Sequence, residues 1–239
     1  MADARFPLIW DANHVEVLED DPTLTLEEVR AALHPAVREA RSPYEHVEFW
    51  DASLASPAFA QIARESVSRH PDVLMVFEGA GPDGETRPVD VREVDPPRPG
   101  SNLWSWYRRT RNEFDQRLSE EVVDQLMDRD HRVFVPAGLR WLIGFLDGRM
   151  AGFATLLSLG GVGYISDVVT MRDYRRRGVA TATVLRALRS ALKGGDEMVH
   201  LLAEEGSGPQ LLYQRLGFRT IARVQSFTRQ VEWNRAGPD

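Results

Sequence analysis

Tyr174-Arg175-Arg176-Arg177-Gly178-Val179-Ala180 sets cationic side chains beside a glycine, at what reads as the start of a helix. Four of the six residues from Arg172 to Arg177 are arginine. The first N–H groups of a helix have no partner within it and carry partial positive charge. A phosphate or pyrophosphate can accept hydrogen bonds from them, and neighbouring guanidinium groups add charge and donors. Gly178 lets the backbone approach a ligand closely because no side chain intervenes. Ala180 is the next smallest choice for the following turn. The stretch is not a Walker loop, since no Gly-Lys-Ser/Thr follows, and Gly-x-Gly-x-x-Gly is absent too. Solvated arginines ahead of a helix are the bland alternative.

The elements that must hold this turn can be read on either side of it. Residues 162–171 form a strand before it. Gly178 to Lys193 forms a helix, with Val184, Leu185, Leu188, Ala191 and Leu192 at helical spacing. Gly194-Gly195 ends that helix, and Arg189 and Lys193 lie near its negative end. Residues 197–203 read as a buried strand, Pro209 to Leu216 as a short helix stopped by Gly217, and Phe218 to Val231 as a strand pair. Upstream, 102–114 and 118–129 read as helices, and 131–158 as two or three strands with a turn at Asp147-Gly148. Pro96, Pro97, Pro99 and Gly100 mark a linker over 96–101.

The first part, residues 1–95, is mixed. Residues 7–18 look extended. Thr25 and Glu28 have capping-box spacing, which predicts a helix to about Ala40, disturbed at Pro35. Residues 44–50 alternate like a strand. Ser56-Pro57 fits an N-cap and first helical residue, with the helix ending near His70-Pro71. Residues 73–78 are a strand candidate and 87–94 a weaker one. The six histidines, 14, 34, 46, 70, 131 and 200, show no metal-ligand spacing along the chain.

Composition limits the function classes. Among 239 residues there is no cysteine, which excludes disulfides, thiolate catalysis and Cys-ligated zinc. The formal net charge of −7 argues against nucleic acid as a partner, so the arginine cluster suits a small anion. No apolar run approaches the ~20 residues that cross a bilayer, and no signal pattern opens the chain. The expectation is a cytoplasmic protein without a membrane partner.

Arg175-Arg176-Arg177-Gly178-Val179-Ala180 matches Arg/Gln-x-x-Gly-x-Gly/Ala after a strand, and Leu212-Tyr213-Gln214-Arg215-Leu216-Gly217-Phe218 follows downstream. Their order and spacing over roughly 102–231 resemble the GCN5-related N-acetyltransferase (GNAT) superfamily. The resemblance implies an α/β (α+β) fold with a mixed, mostly antiparallel central sheet flanked by helices. It implies acetyl-CoA lying where two neighbouring strands split, with no metal. Val169, Thr170 and Met171 would offer main-chain hydrogen bonds to the pantetheine arm. Arg176, Arg177, Gly178, Val179, Ala180 and Thr181 would surround the pyrophosphate. Arg175 holds the motif's first position.

The implied reaction is direct acetyl transfer to an amine, and Tyr213 matches the tyrosine that protonates the departing thiolate. Its phenol, with a pKa near 10, carries a proton at neutral pH. Asp167 or Glu204 is the candidate base, Ser166 and Glu205 being their neighbours on opposite strand faces. Many relatives have an asparagine where this chain has Gly206, leaving Ser207 to supply a hydroxyl to the cofactor. The family's usual proline after the cofactor strand is also absent, with Arg172-Asp173 there. Trp104, Trp106 and Tyr107 either line the acceptor site or pack in the core. The domains expected are an N-terminal α/β region over 1–95, read as a degenerate GNAT-like half, a linker at 96–101 and the acetyltransferase domain over 102–239. The acceptor is a small-molecule or peptide amine, and the N-terminal region could shape its pocket or a homodimer contact. The rival from another class is a non-catalytic acetyl-CoA-binding regulator.

Overall fold

The computed structural model describes residues 2–19, 21–68, 71–79, 89–114 and 118–231; His70 and residues 87–88 of the expected weak strand lie outside them. The chain forms two compact units. One comprises Met1–Val73 with Ala222–Asp239, the other Leu74–Ile221. The division falls before the expected 96–101 linker, because the strands read at 73–78 and 87–94 lie almost wholly in the second unit.

In the first unit, a 3-10 turn at Trp10–Ala12 leads into β1 (Val15–Val17), so most of 7–18 is not extended. Helix α1 (Leu26–Ala40) starts on the Thr25–Glu28 capping box and runs through Pro35. Strand β2 (Tyr44–Trp50) follows, then α2 (Pro57–Glu65), capped by the Ser56 side chain, and the two-residue strand β3 (Val67–Ser68). Strands β1 and β2 are parallel and in register, Val15 opposite Val47 and Glu16 opposite Glu48. Leu33, Val37, Val47 and Phe49 are buried together with Phe227. Removing such side chains from water is worth about 1.5–3 kcal/mol each.

The second unit contains β4 (Asp72–Phe77, entering from the first unit), β5 (Asp90–Val94), α3 (Asn102–Phe114) and α4 (Glu120–Arg129). A π-turn at Asp130–Phe134 prolongs α4, so no strand forms between residues 130 and 139. Then come β6 (Arg140–Leu146), β7 (Arg149–Leu159), β8 (Val162–Thr170), α5 (Val179–Gly194), β9 (Met198–Glu204), α6 (Gly208–Arg215) and β10 (Phe218–Gln230). The sheet order here is β4-β9-β8-β7-β6-β5. Pairs β5–β6, β6–β7 and β7–β8 are antiparallel, while β8–β9 is parallel. This is the mixed, mostly antiparallel sheet with helices that the resemblance implied. Trp106 and Tyr107 face the core of this unit beside Trp141 and Phe153, which gives them a packing role.

The expected strand pair after Phe218 is one strand of 13 residues. Phe-Arg-Thr-Ile-Ala-Arg-Val-Gln-Ser-Phe-Thr-Arg-Gln holds no Gly, Pro, Asn or Asp at which a hairpin could turn. Its later residues belong to the first unit, where they pair antiparallel with β2, Val224 opposite Trp50 through Gln230 opposite Tyr44.

Candidate active site

Strands β8 and β9 run side by side only briefly. Val162, Gly163 and Tyr164 pair with Met198, Val199 and His200, and no pair joins 165–170 to 201–204. The Tyr164 ring stacks on His200, centroids 4.8 Å apart, at the last paired position. Burial holds the His200 imidazole below its usual pKa, which keeps it neutral. Beyond this point the β8 edge toward β9 has no strand partner. An extended ligand can add to such an edge as a strand would.

The other edge of β8 is held on β7, with a bulge. Phe153 opposes Val169 and Thr155 opposes Ser166, so Asp167 and Val168 together face the single residue Ala154. Asp167 takes φ +48°, the left-handed region, to accommodate the extra residue. Near the end of β8 the strands come very close. A Cβ built on Gly152 would lie 2.3 Å from the Val169 carbonyl oxygen, so only glycine permits this approach. Val169 is buried. The Met171 N–H donates to the Ala151 carbonyl at 3.0 Å, and its carbonyl accepts from Tyr174 N–H at 2.9 Å. Both backbone groups of Met171 thus make bonds within the protein, and its carbonyl oxygen keeps a second lone pair. The Thr170 carbonyl accepts from Arg175 Nε at 3.2 Å, which gives the motif's first arginine a local structural bond.

The turn into α5 is shaped for an anion. Arg176 has φ +60° and Gly178, the N-cap, φ +86°. Left-handed residues alternating along a turn aim successive N–H groups into a shared concavity. No side chain caps this helix. Its first i→i−4 bond runs from Ala182 N–H to the Gly178 carbonyl, so Val179, Ala180 and Thr181 precede the ladder and their N–H groups point outward from its start. Arg175, Arg176 and Arg177 are exposed around it. Arg177 reaches the Asp147 carboxylate at 3.1 Å; both are exposed, and such a pair is worth at most about 1 kcal/mol. A phosphate can displace it cheaply.

Helix α6 packs on β9. Its N-cap is Ser207, whose hydroxyl accepts from Gln210 N–H at 3.2 Å, while the Gln210 side chain accepts from Gly206 N–H at 2.7 Å. This reciprocal cap gives Ser207 a structural duty and leaves its O–H free to donate. Tyr213 is buried, its ring edge-on to Phe218 with centroids 6.2 Å apart. Burial pushes its phenol up to about 12, so it is protonated throughout the neutral range. Glu204 is exposed at the end of β9, on the face opposite buried Val199, Leu201 and Ala203.

Asp167 is not free. The Arg111 guanidinium donates to both its oxygens, at 2.9 and 3.2 Å. Arg111 also reaches Asp130 at 2.5 Å and the Tyr107 hydroxyl, and Tyr107 donates to Asp130 at 2.5 Å. Burial raises the Asp130 carboxyl above its usual value, reinforced by the Asp167 charge and opposed by Arg111. Burial works against the Arg111 charge too, but the carboxylates and Tyr107 outweigh it and hold the guanidinium charged. The bulge that carries Asp167 is thereby pinned to α3. Sequence reading missed Arg111 and Asp130; Arg111 lies 56 residues from its Asp167 partner, and no local pattern announces it.

Residues 101–218 match the sequence model of the acetyltransferase (GNAT) family. The N-alpha-acetyltransferase MAK3 of Arabidopsis thaliana is 39% identical over 66 residues, covering 27% of this chain and 35% of that one. The chain thus spans about a third of the length of that curated relative. A functionally unknown conserved protein from Staphylococcus epidermidis superposes with a TM-score of 0.71 at 12% identity, over 95% of this chain and 88% of the other. A GCN5-related N-acetyltransferase from Sphaerobacter thermophilus gives 0.60 at 17% identity, covering 86% and 66%. A tandem GNAT protein from the clavulanic acid biosynthesis pathway gives 0.56 at 16%, covering 89% and 70%. At these identities the structural likeness speaks for the fold. The matched segment, residues 101–218, belongs to the acetyltransferase (GNAT) family, and the fold it shares with these solved structures agrees with that.

Proposed function

We propose that the protein transfers an acetyl group from acetyl-CoA to an amine. The reading rests chiefly on the parallel strands that part after Tyr164 and His200, beside an uncapped helix start ringed by arginines. Val169 and Thr170 offer main-chain groups to the pantetheine arm. The N–H groups of Val179, Ala180 and Thr181 receive the pyrophosphate, with Arg176 and Arg177 supplying charge. Ser207 donates its O–H to the same molecule.

The thioester supplies the acetyl group. The amine nitrogen must be neutral to attack its carbonyl; a C–N bond forms, the C–S bond breaks, and the nitrogen releases a proton. Asp167 has both oxygens engaged by Arg111, so exposed Glu204 or solvent water takes that proton. Tyr213 faces a mismatch as a full proton donor. A phenol at about 12 lies ~3.5 units above a thiol near 8.5, so complete transfer costs about 5 kcal/mol. Its role is therefore to hold the leaving sulfur by a hydrogen bond, which needs no transfer.

The first acceptor to test is an α-amine, the acceptor class in the name of the Arabidopsis relative. At pH 7 about one α-amine in ten is neutral, against about one lysine amine in 2,500, so an α-amine needs far less help from a base. The experiment is CoA release over a panel of N-terminal peptides, lysine peptides and small amines, with acetyl-CoA binding measured separately by calorimetry. Saturable binding with turnover on at least one amine is expected. No binding at millimolar acetyl-CoA refutes the proposal, and binding without turnover on any amine removes the enzymatic part of it.

A further inference from the structure

The tripeptide His-Val-Glu occurs twice in the first unit, at 14–16 and at 46–48. Strands β1 and β2 bring the copies side by side, parallel, with Val15 opposite Val47 and Glu16 opposite Glu48. The same register carries His14 to His46. Val47 is fully buried in the unit's core and Val15 packs against it. Strand alternation therefore sends both histidines and both glutamates to the opposite face. Along the chain the copies lie 32 residues apart, which is why linear spacing hid them.

We propose that His14, Glu16 and Glu48 bind a divalent transition metal ion, with His46 as the residue that positions Glu48. One donor atom from each of the three lies within 4.8 Å of the others, and His14 Nε2 is 3.0 Å from Glu16 Oε1. A tetrahedral ion with ligands at about 2.0–2.2 Å needs donors roughly 3.4 Å apart, so adjustments of about 1 Å close the set. One imidazole and two carboxylates leave a fourth position for water, and this donor mixture suits zinc, manganese, iron or cobalt.

The supporting contacts are those a ligand carboxylate needs. His46 Nε2 is 3.2 Å from Glu48 Oε1, and His46 Nδ1 is 2.8 Å from Thr228 Oγ1. The Thr228 hydroxyl donates to Nδ1, so Nε2–H donates to Glu48 and fixes its orientation. The Trp10 ring stacks on His46 with centroids 6.0 Å apart and holds the imidazole plane. Burial is graded: the side chains of His46 and His14 are 2% and 6% exposed, Glu48 22% and Glu16 36%. Glu16 thus faces the route by which an ion would enter. Two carboxylates converging on a half-buried point repel, and a doubly charged cation cancels them in full.

The test uses the full chain without a histidine tag, stripped with a chelator and equilibrated with zinc. Metal is counted by elemental analysis after dialysis, and affinity is read by competition with a zinc indicator. One zinc per chain at micromolar free zinc is expected, with a rise in melting temperature. Glu16→Gln and Glu48→Gln, which keep shape and hydrogen bonding, should each weaken binding at least 100-fold and abolish the thermal shift. Thr228→Val leaves every ligand in place and should weaken zinc 10–100-fold through His46. Less than half an equivalent of zinc on the folded wild-type chain overturns the proposal. So does an equivalent that survives in both glutamine variants. Unchanged affinity in Thr228→Val removes the positioning role of His46.

Discussion

Replacing Arg111 by Met should destabilise the protein by about 3–4 kcal/mol at pH 8. The guanidinium lies among Asp130, Asp167 and Tyr107, with its side chain 11% exposed, Asp130 4% and Asp167 26%. Taking one partner out of a buried ion pair costs about 3–5 kcal/mol, because the remaining charge keeps its desolvation penalty without compensation. Two carboxylates are stranded here, but Asp167 is a quarter open and water recovers part of its solvation, which favours the lower half of that range. The pH dependence follows from Asp130. Burial already raises its carboxyl in the folded state and Arg111 opposes the rise, so the variant raises it further. A group whose folded pKa is raised contributes stability below its unfolded value, near 3.8, and loses it as pH rises through the folded value. The penalty of Arg111→Met should thus shrink at pH 5 and grow toward pH 8. Urea unfolding at both pH values, with Arg111→Lys as a variant that keeps the charge, measures this. A loss below about 1 kcal/mol at pH 8, or a penalty as large at pH 5, refutes the account of a buried, charge-compensated pin.

Tyr213→Phe removes a hydrogen bond to a charged sulfur, worth about 1.5–3 kcal/mol, so kcat should fall about 10–150-fold while KM for acetyl-CoA stays nearly constant; steady-state kinetics with unchanged kcat would make Tyr213 a packing residue. Since its phenol sits at about 12, activity should show no alkaline loss from this group below pH 11 in a pH–rate profile. Gly152→Ala places a methyl 2.3 Å from the Val169 carbonyl oxygen, backbone that cannot rotate away, and should cost at least the ~1–3 kcal/mol of core overpacking in a thermal melt. Gly178→Val puts a β-branched residue at φ +86° in the anion concavity and should weaken acetyl-CoA by more than tenfold in calorimetry, with desulfo-CoA analogues that keep the pyrophosphate affected equally.

Local chemistry made several features readable in the sequence. The Thr25–Glu28 box, the Ser56-Pro57 cap and the Gly178 helix start are decided within four residues, and all three form as expected. The strand before the arginine turn and the helix after it follow from period and punctuation. What escaped depends on distant partners. The bulge at Asp167 is set by register against β7 and by an arginine on α3, so alternation along β8 alone misassigns what faces what. Residues 131–138 carry apolar Val133, Phe134 and Val135, a strand-like run, yet continue the helical turn begun by α4. Short apolar runs do not distinguish strand from helix without their neighbours.

The long strand β10 has a consequence for biogenesis. In the first unit, β2 takes its antiparallel partner from residues 224–230, and the His46–Thr228 bond spans 182 residues. At about 5–20 residues per second of synthesis, β2 would emerge roughly 10–40 s before its partner exists. During that interval its edge, carrying Val47 and Phe49, lies open to other strands, and the buried histidines of this unit have no threonine to meet. The earlier-made strand must therefore wait for a partner made some 180 residues later. Chaperone demand during translation, and sensitivity to truncation near residue 222, should both fall on the N-terminal unit rather than on the one that carries the arginine turn.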